Sequence, residues 1–230
     1  RVSPMRRPIL AISLWLGMSG LLSGQEVPGS IAGGYFLPNG WRITPAGRAI
    51  QTNDTVLNLI AALDGRTMIG LHSGYNPHGI VVIDTESEAA VQRIPLPSSF
   101  FGLTWRPDGR KLYVSGGNAS GPANRARAPI YVFEYRDGRL SETPSERLEE
   151  SVSREQVHWS GLAHHPTKSL LYAANRGPGP APGAVVVFDT SEGKLLRRIP
   201  VELMPYDLAL SPAGDKLYVS NWASDSIGVI

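Results

Sequence analysis

Asp207-Leu-Ala-Leu-Ser-Pro-Ala-Gly-Asp-Lys-Leu-Tyr-Val-Ser220 is one of four copies of the same phrase. The others are Asn58-Leu-Ile-Ala-Ala-Leu-Asp-Gly-Arg-Thr-Met-Ile-Gly70, Gly102-Leu-Thr-Trp-Arg-Pro-Asp-Gly-Arg-Lys-Leu-Tyr-Val-Ser115 and Gly161-Leu-Ala-His-His-Pro-Thr-Lys-Ser-Leu-Leu-Tyr-Ala-Ala174. Their turn positions fall at Leu63, Pro107, Pro166 and Pro212, so the spacings are 44, 59 and 46 residues. Self-similarity at such a period marks a repeat architecture. Within each copy an apolar strand runs into Pro-Asp-Gly or a relative of it. Proline fixes φ early in the turn and glycine accepts positive φ near its end. A second strand of the Lys-Leu-Tyr-Val kind returns from that turn.

Each second strand is followed by a polar loop and then by a β-branched or aromatic run. These runs are Ile80–Asp84, Ile130–Glu134 and Val185–Asp189. A Ser/Glu/Gly turn leads to a fourth strand, as in Lys194-Leu-Leu-Arg-Arg-Ile-Pro200. Four strands in about 45 residues make one β-propeller blade. Independent hairpins in a β-sandwich would not place the same turn at four equivalent positions. The expected fold is therefore all-β: a partial β-propeller of four-stranded antiparallel blades, with about four blades of an expected seven. The wide gap holds an insertion, Ser141 to Gln156, which reads as an exposed loop with one helical turn at 145–151.

Composition agrees and narrows the chemistry. The 25 glycines and 19 prolines suit many short elements joined by turns, and argue against a helical bundle. The absence of cysteine excludes disulfide scaffolds, Cys-based zinc sites, iron–sulfur clusters and a Cys nucleophile. The formal net charge of +2 is misleading. Residues 1–24 carry Arg1, Arg6 and Arg7 and no acid, with a 14-residue apolar run from Ile9 to Leu22 and the small residues Ser23 and Gly24 behind it. That order reads as a signal peptide with a short extension before Met5, too short to span a bilayer, which takes about 20 residues. An uncleaved anchor is the other reading, and both export the remainder to the periplasm or beyond. Beyond residue 24 the balance is 19 basic against 20 acidic residues, which removes the electrostatic motive for nucleic acid.

Tyr218-Val-Ser-Asn221, with the degenerate copies Tyr113-Val-Ser-Gly116 and Tyr172-Ala-Ala-Asn175, resembles the YVTN-type repeat of secreted bacterial seven-bladed propellers, the YncE-like group. Leu37-Pro-Asn-Gly-Trp-Arg-Ile-Thr-Pro-Ala-Gly47 resembles the stretch that precedes the first blade in a subgroup carrying a C-terminal phosphoesterase domain. The resemblance spans residues 36 to 230. It implies a domain plan of 1–24 signal peptide, 25–56 lead-in and possible closing strand, and 57–230 blades. A seven-bladed ring needs about 300 residues at this period. The expectation is thus a ring cut short in its last blade, with any phosphoesterase domain beyond residue 230.

The resemblance also implies that ligands sit where the loops between second and third strands meet the blade-to-blade connections. In this sequence those segments hold His72, Asn118, Arg125, Arg127, His158, Asn175, Arg176, Tyr206, Asn221 and Trp222, with His78 and Trp159 close by. Arg presents a planar fork to carboxylate or phosphate, so an anionic or sugar-like ligand suits this set. The same residues also read as solvated loop positions, with Asn stabilising turns. Adjacent strand residues point to opposite faces, so His164 and His165 do not share a metal. Gly177–Gly183 lacks a Gly-Lys-Ser/Thr ending and its prolines remove amide donors, so it is not a phosphate loop. Ser-x-x-Lys, Gly-x-Ser-x-Gly and His-Glu-x-x-His are absent, and no catalytic, metal or cofactor assignment follows. The leading expectation is an exported scaffold for an unidentified ligand, protein or neighbouring domain. The alternatives are the propeller part of a secreted phosphoesterase, and a lactonase-like hydrolase drawing on Asn58, Thr104, His164 and Asp207.

Overall fold

The computed structural model describes residues 27–44, 46–117, 128–150, 157–177, 179 and 181–230. Residues 1–24, Asn118, Arg125 and Arg127 thus lie outside the described residues. Every described element is a strand. Among the described residues no helix is long and apolar enough to cross a membrane. The chain divides into two compact units, Arg1–Ala49 and Ile50–Ile230.

The first unit holds a small antiparallel sheet, β1 (Gly29–Ile31), β2 (Gly34–Phe36) and β3 (Arg42–Ile43), in that order. Pro38-Asn39-Gly40 turns the chain between β2 and β3. Asn39 Oδ1 accepts the Trp41 amide at 3.1 Å, and Gly40 takes a φ of 84°.

In the second unit the repeats become four sheets. Sheet one is β4 (Val56–Ala61), β5 (Thr67–His72), β6 (Gly79–Asp84) and β7 (Ala89–Pro95). Sheet two is β8 (Leu103–Trp105), β9 (Lys111–Ser115) and β10 (Ile130–Arg136), with β11 (Arg139–Leu140) and β12 (Glu146–Leu148) both on the outer side of β10. Sheet three is β13 (Trp159–His164), β14 (Leu170–Asn175), β15 (Pro182–Asp189) and β16 (Lys194–Leu203). Sheet four is β17 (Pro205–Leu210), β18 (Leu217–Asn221) and β19 (Ser226–Val229). All pairings are antiparallel between sequence neighbours, apart from β12, which returns to β10.

The tight turn follows the reading of the repeat. Gly65, Gly109 and Gly214 have φ of 69°, 70° and 74°. Asp64 Oδ1 accepts the amides of Arg66 and Thr67, both at 2.9 Å. In the third repeat, which has no Asp-Gly, buried His165 takes over. Its Nδ1 accepts the amides of Thr167 at 3.1 Å and Lys168 at 3.0 Å. His165 is therefore a turn-forming residue.

Side-chain alternation explains how the sheets stack. On β9, Leu112 and Val114 pack toward sheet one, and Tyr113 packs toward sheet three. On β10, Tyr131 and Phe133 go one way and Ile130 and Val132 the other. Three apolar layers result, between sheets one and two, two and three, and three and four. A middle sheet is thus buried on both faces, which is why its strands read as continuous apolar runs rather than strict alternations. The inner strands β4, β8, β13 and β17 meet one another in succession. Four face-to-face sheets whose first strands share one side form a β-propeller arc, not a sandwich.

The insertion corrects one expectation. The predicted helical turn at 145–151 is not there: Glu146–Leu148 is a strand, and residues 151–156 lie outside the described residues. Buried Leu140 and Leu148 fill the core from either end, and Ser141 N and Ser145 N donate to Glu134 O and Val132 O. The outer strand of the second blade is simply interrupted, with residues 142–144 outside its ladder.

Candidate functional site

His72, Gly116, Asn175 and Asn221 occupy one repeat position, 14 residues beyond Asn58, Gly102, Gly161 and Asp207. His72, Asn175 and Asn221 end the second strands β5, β14 and β18. The next residues, Arg176 and Trp222, turn onto the same end of the sheets, where the chain also crosses from blade to blade.

Six side chains converge there. The Arg176 guanidinium carbon lies 5.6 Å from the centre of the Phe100 ring and 5.5 Å from that of Trp222. Tyr206 meets Phe100 at 5.7 Å, Phe101 at 5.0 Å and Trp222 at 5.3 Å between centroids. The His158 ring stands edge-on to Phe100 at 5.0 Å. These groups come from two connections between blades, the start of β17 and the ends of two second strands, so only the assembled arc brings them together. A cleft of about 400 Å³ opens beside Tyr206 and Trp222, lined also by Asn221, Asp225, Ser226 and Ile227.

The polar bookkeeping of this end is incomplete. Four buried side-chain atoms among the described residues have no hydrogen-bond partner: His72 Nδ1, His158 Nε2, Arg176 Nε and Asn221 Oδ1. All four belong to candidate residues, whereas buried polar groups are normally satisfied. Arg176 has no carboxylate partner among the described residues, and burial lowers its affinity for its proton. His158 is pushed down to about 4, first by burial and then by the Arg176 charge, so its imidazole is neutral at pH 7.

Other candidates are placed differently. Asn175 is fully engaged: its Oδ1 accepts the amides of His158 and Gly177, both at 3.1 Å, and its Nδ2 donates to Glu150 at 3.0 Å. Glu150 is itself buried and paired with Arg198. Asn175 therefore holds the backbone that carries His158 and Arg176. His72 lies one blade away, its carbonyl accepting Ser99 Oγ at 3.0 Å and its imidazole packed against Gly79. Burial lowers its pKa. Trp159 is a core residue, 0% exposed, with its indole N–H on Ala128 O at 2.7 Å.

The inner-strand set does not gather. His164 Nδ1 faces His165 O at 2.8 Å and Nε2 lies 3.3 Å from Thr190, at the opposite end of the sheets from the cluster. Asp207 follows Tyr206 at the cluster end, with its carboxyl pushed up by desolvation. Asn58 Nδ2 donates to Phe101 O at 2.8 Å and so braces the cluster from the first blade. No group of three or more potential metal ligands occurs among the described residues. Phe100 and Phe101 escaped the sequence reading, although Phe-Phe immediately before the Gly102 repeat start was a visible signal in a connecting segment.

A family model described as "Lactonase, 7-bladed beta-propeller" matches residues 123–230, somewhat under half of the chain. No curated protein matches. Among solved structures, Kuenenia stuttgartiensis hydrazine synthase is 20% identical with a TM-score of 0.62, covering 84% of this chain and 62% of that one. A candidate 6-phosphogluconolactonase of Bacteroides uniformis is 17% identical with a TM-score of 0.60, covering 85% of this chain and 59% of that one. A gluconolactonase of Xanthomonas campestris is 20% identical with a TM-score of 0.52, covering 82% of this chain and 61% of that one. This chain thus spans about three fifths of the length of the structures it matches. At these identities the likeness is one of fold, and the fold of this chain is a β-propeller similar to those of these structures.

Proposed function

We propose that the chain is an exported β-propeller scaffold that binds a small ligand at the Phe100–His158–Arg176–Tyr206–Trp222 face. The observation that carries this reading is the coincidence of unsatisfied buried polar atoms with an aromatic cluster around an unpaired arginine. An apolar surface with a few unmet polar groups beside a cleft is the ordinary composition of a ligand site. Residues 1–24 support export, and the stretches 37–47 and 218–221 support the YncE-like group whose subgroup carries a phosphoesterase domain. Thermal-shift screening of the 230-residue chain against small polar metabolites tests the binding role. A ligand should raise the melting temperature, and Trp222→Ala or Tyr206→Ala should cancel the rise. A ligand whose shift survives both substitutions contradicts the assignment. Fusing residues 1–24 to a reporter active only outside the cytoplasm tests export, and an inactive fusion contradicts it.

A second reading, lactone hydrolysis, is supported by the matching family model and by the lactonases among the solved neighbours. Neutral His158 and desolvated Asp207 are the titratable groups nearest the cluster that such chemistry would draw on. Turnover of a lactone panel that falls at least a hundredfold in Asp207→Asn favours this reading. Inactivity across the panel in the presence of divalent cations opposes it.

A further inference from the structure

Arg176 is a half-buried cation with aromatic rings where a counter-ion would normally be. Ring faces attract a guanidinium only modestly. That does not replace the hydration a buried charge loses. The shortfall is of a specific kind, because a guanidinium is planar and matches a carboxylate through two parallel N–H···O bonds. Beside it the His158 Nε2 atom is buried and unpartnered as well, so the imidazole supplies the guanidinium with no compensating hydrogen bond. The rings of Tyr206, Phe101 and Trp222 supply flat apolar surface next to the polar pair.

We infer that this cluster is a site for an organic monocarboxylate with a flat or ring-shaped body, its carboxylate on Arg176 and its body against Tyr206 and Trp222. The inference rests on the ligand-binding reading above and names its chemical class. Charge separates a monoanion from a phosphate dianion. Among the described residues Arg176 is the single cation of the cluster. On the adjoining side, Asp225 lines the cleft and Glu202 accepts a hydrogen bond from Ser226 at 2.6 Å, and these two carboxylates repel a second negative charge. A neutral ligand would leave the guanidinium as poorly compensated as before.

The test is fluorescence titration of the 230-residue chain at pH 7 with four probes: benzoate, benzamide, inorganic phosphate and gluconolactone. Trp222→Phe identifies the part of the signal that comes from the site. Benzoate is expected to change Trp222 emission saturably. Benzamide should bind at least tenfold more weakly, and Arg176→Met should weaken benzoate tenfold or more. Arg176→Lys, which keeps the charge and loses the fork, should fall between, and it replaces the Met variant if that protein does not fold. Benzoate binding unchanged in Arg176→Met, or phosphate binding as tightly as benzoate, overturns the inference. Saturable binding of gluconolactone or benzamide without benzoate overturns it and leaves the ligand-binding reading standing. Silence toward all four probes counts against both.

Discussion

Arg176 and His158 set the behaviour of the site at the scale of single residues. An unpaired, partly desolvated cation between Phe100 and Trp222 is a cost to the fold, so its removal should not destabilise. Arg176→Met, which keeps the stem packing and drops the charge, should melt at or above the wild-type temperature, within about 1 kcal/mol on the stable side. Calorimetry checks this, and a loss of several degrees would mean that the guanidinium has a structural partner. His158 gives a pH dependence with a definite sign. Its ordinary value of 6.5 is lowered in the fold to about 4. Between those values the unfolded chain binds more protons, so stability falls as pH drops through 6.5 and the loss is complete below about 4. The size is on the order of 2 kcal/mol after allowing for partial exposure. Buried His72 and half-buried His164 are shifted in the same direction and add to the trend. The urea midpoint should therefore fall between pH 7 and 4.5, and less steeply in His158→Gln. Residue types in the loops were legible from sequence, and His158, Arg176, Tyr206 and Trp222 do converge. The role of Asn175 was not, because its partner Glu150, itself paired with Arg198, lies 25 residues away in sequence and meets it only through the fold.

Elements were the most legible level, since the turn chemistry and the apolar runs recur in register. What the repeat could not reveal is how closely the inner strands approach. Gly161 opens the third repeat, and a Cβ there would lie 2.7 Å from Asp207 Cα and 2.9 Å from Tyr206 O, both backbone atoms of the next blade. Glycine is needed for that contact and not for any special φ. Gly161→Ala should push β17 away from β13 and cost about 2 kcal/mol, in the range of overpacked cores. Because Tyr206 is carried on β17, the same change should weaken ligand binding without touching a ligand contact. Gly179→Ala, with nothing within 4 Å of its added Cβ, is the control and should leave melting and binding unchanged. Equal effects of the two substitutions would refute the close-approach argument. The interrupted β11–β12 strand shows the opposite limit. Its polar, acidic stretch looks like a loop by composition. The sparse apolar positions Leu140 and Leu148, spaced to reach the core on either side of a bulge, make it a strand.

Across the whole second unit, each blade face is covered by the next blade, and the arc therefore presents two uncovered faces. On the last sheet Ile227 is 70% and Val229 60% exposed, side by side on β19 by the two-residue period. Among the described residues β19 pairs only with β18, so its other edge offers unpaired N–H and C=O groups. In the third blade the corresponding strand β15 carries β16 on that edge, along ten residues. An apolar face joined to an open edge recruits another strand, and a second copy of the chain supplies one in antiparallel register about a two-fold axis. The 230-residue chain should accordingly associate as its concentration rises. Ile227→Lys with Val229→Lys places two charges on that edge while leaving buried Val219 and Leu217 intact. Sedimentation velocity across a hundredfold concentration range should show the wild type growing in mass and the double variant remaining at about 25 kDa, the mass of one chain being 24.8 kDa. A wild type that stays monomeric throughout would refute association through this edge.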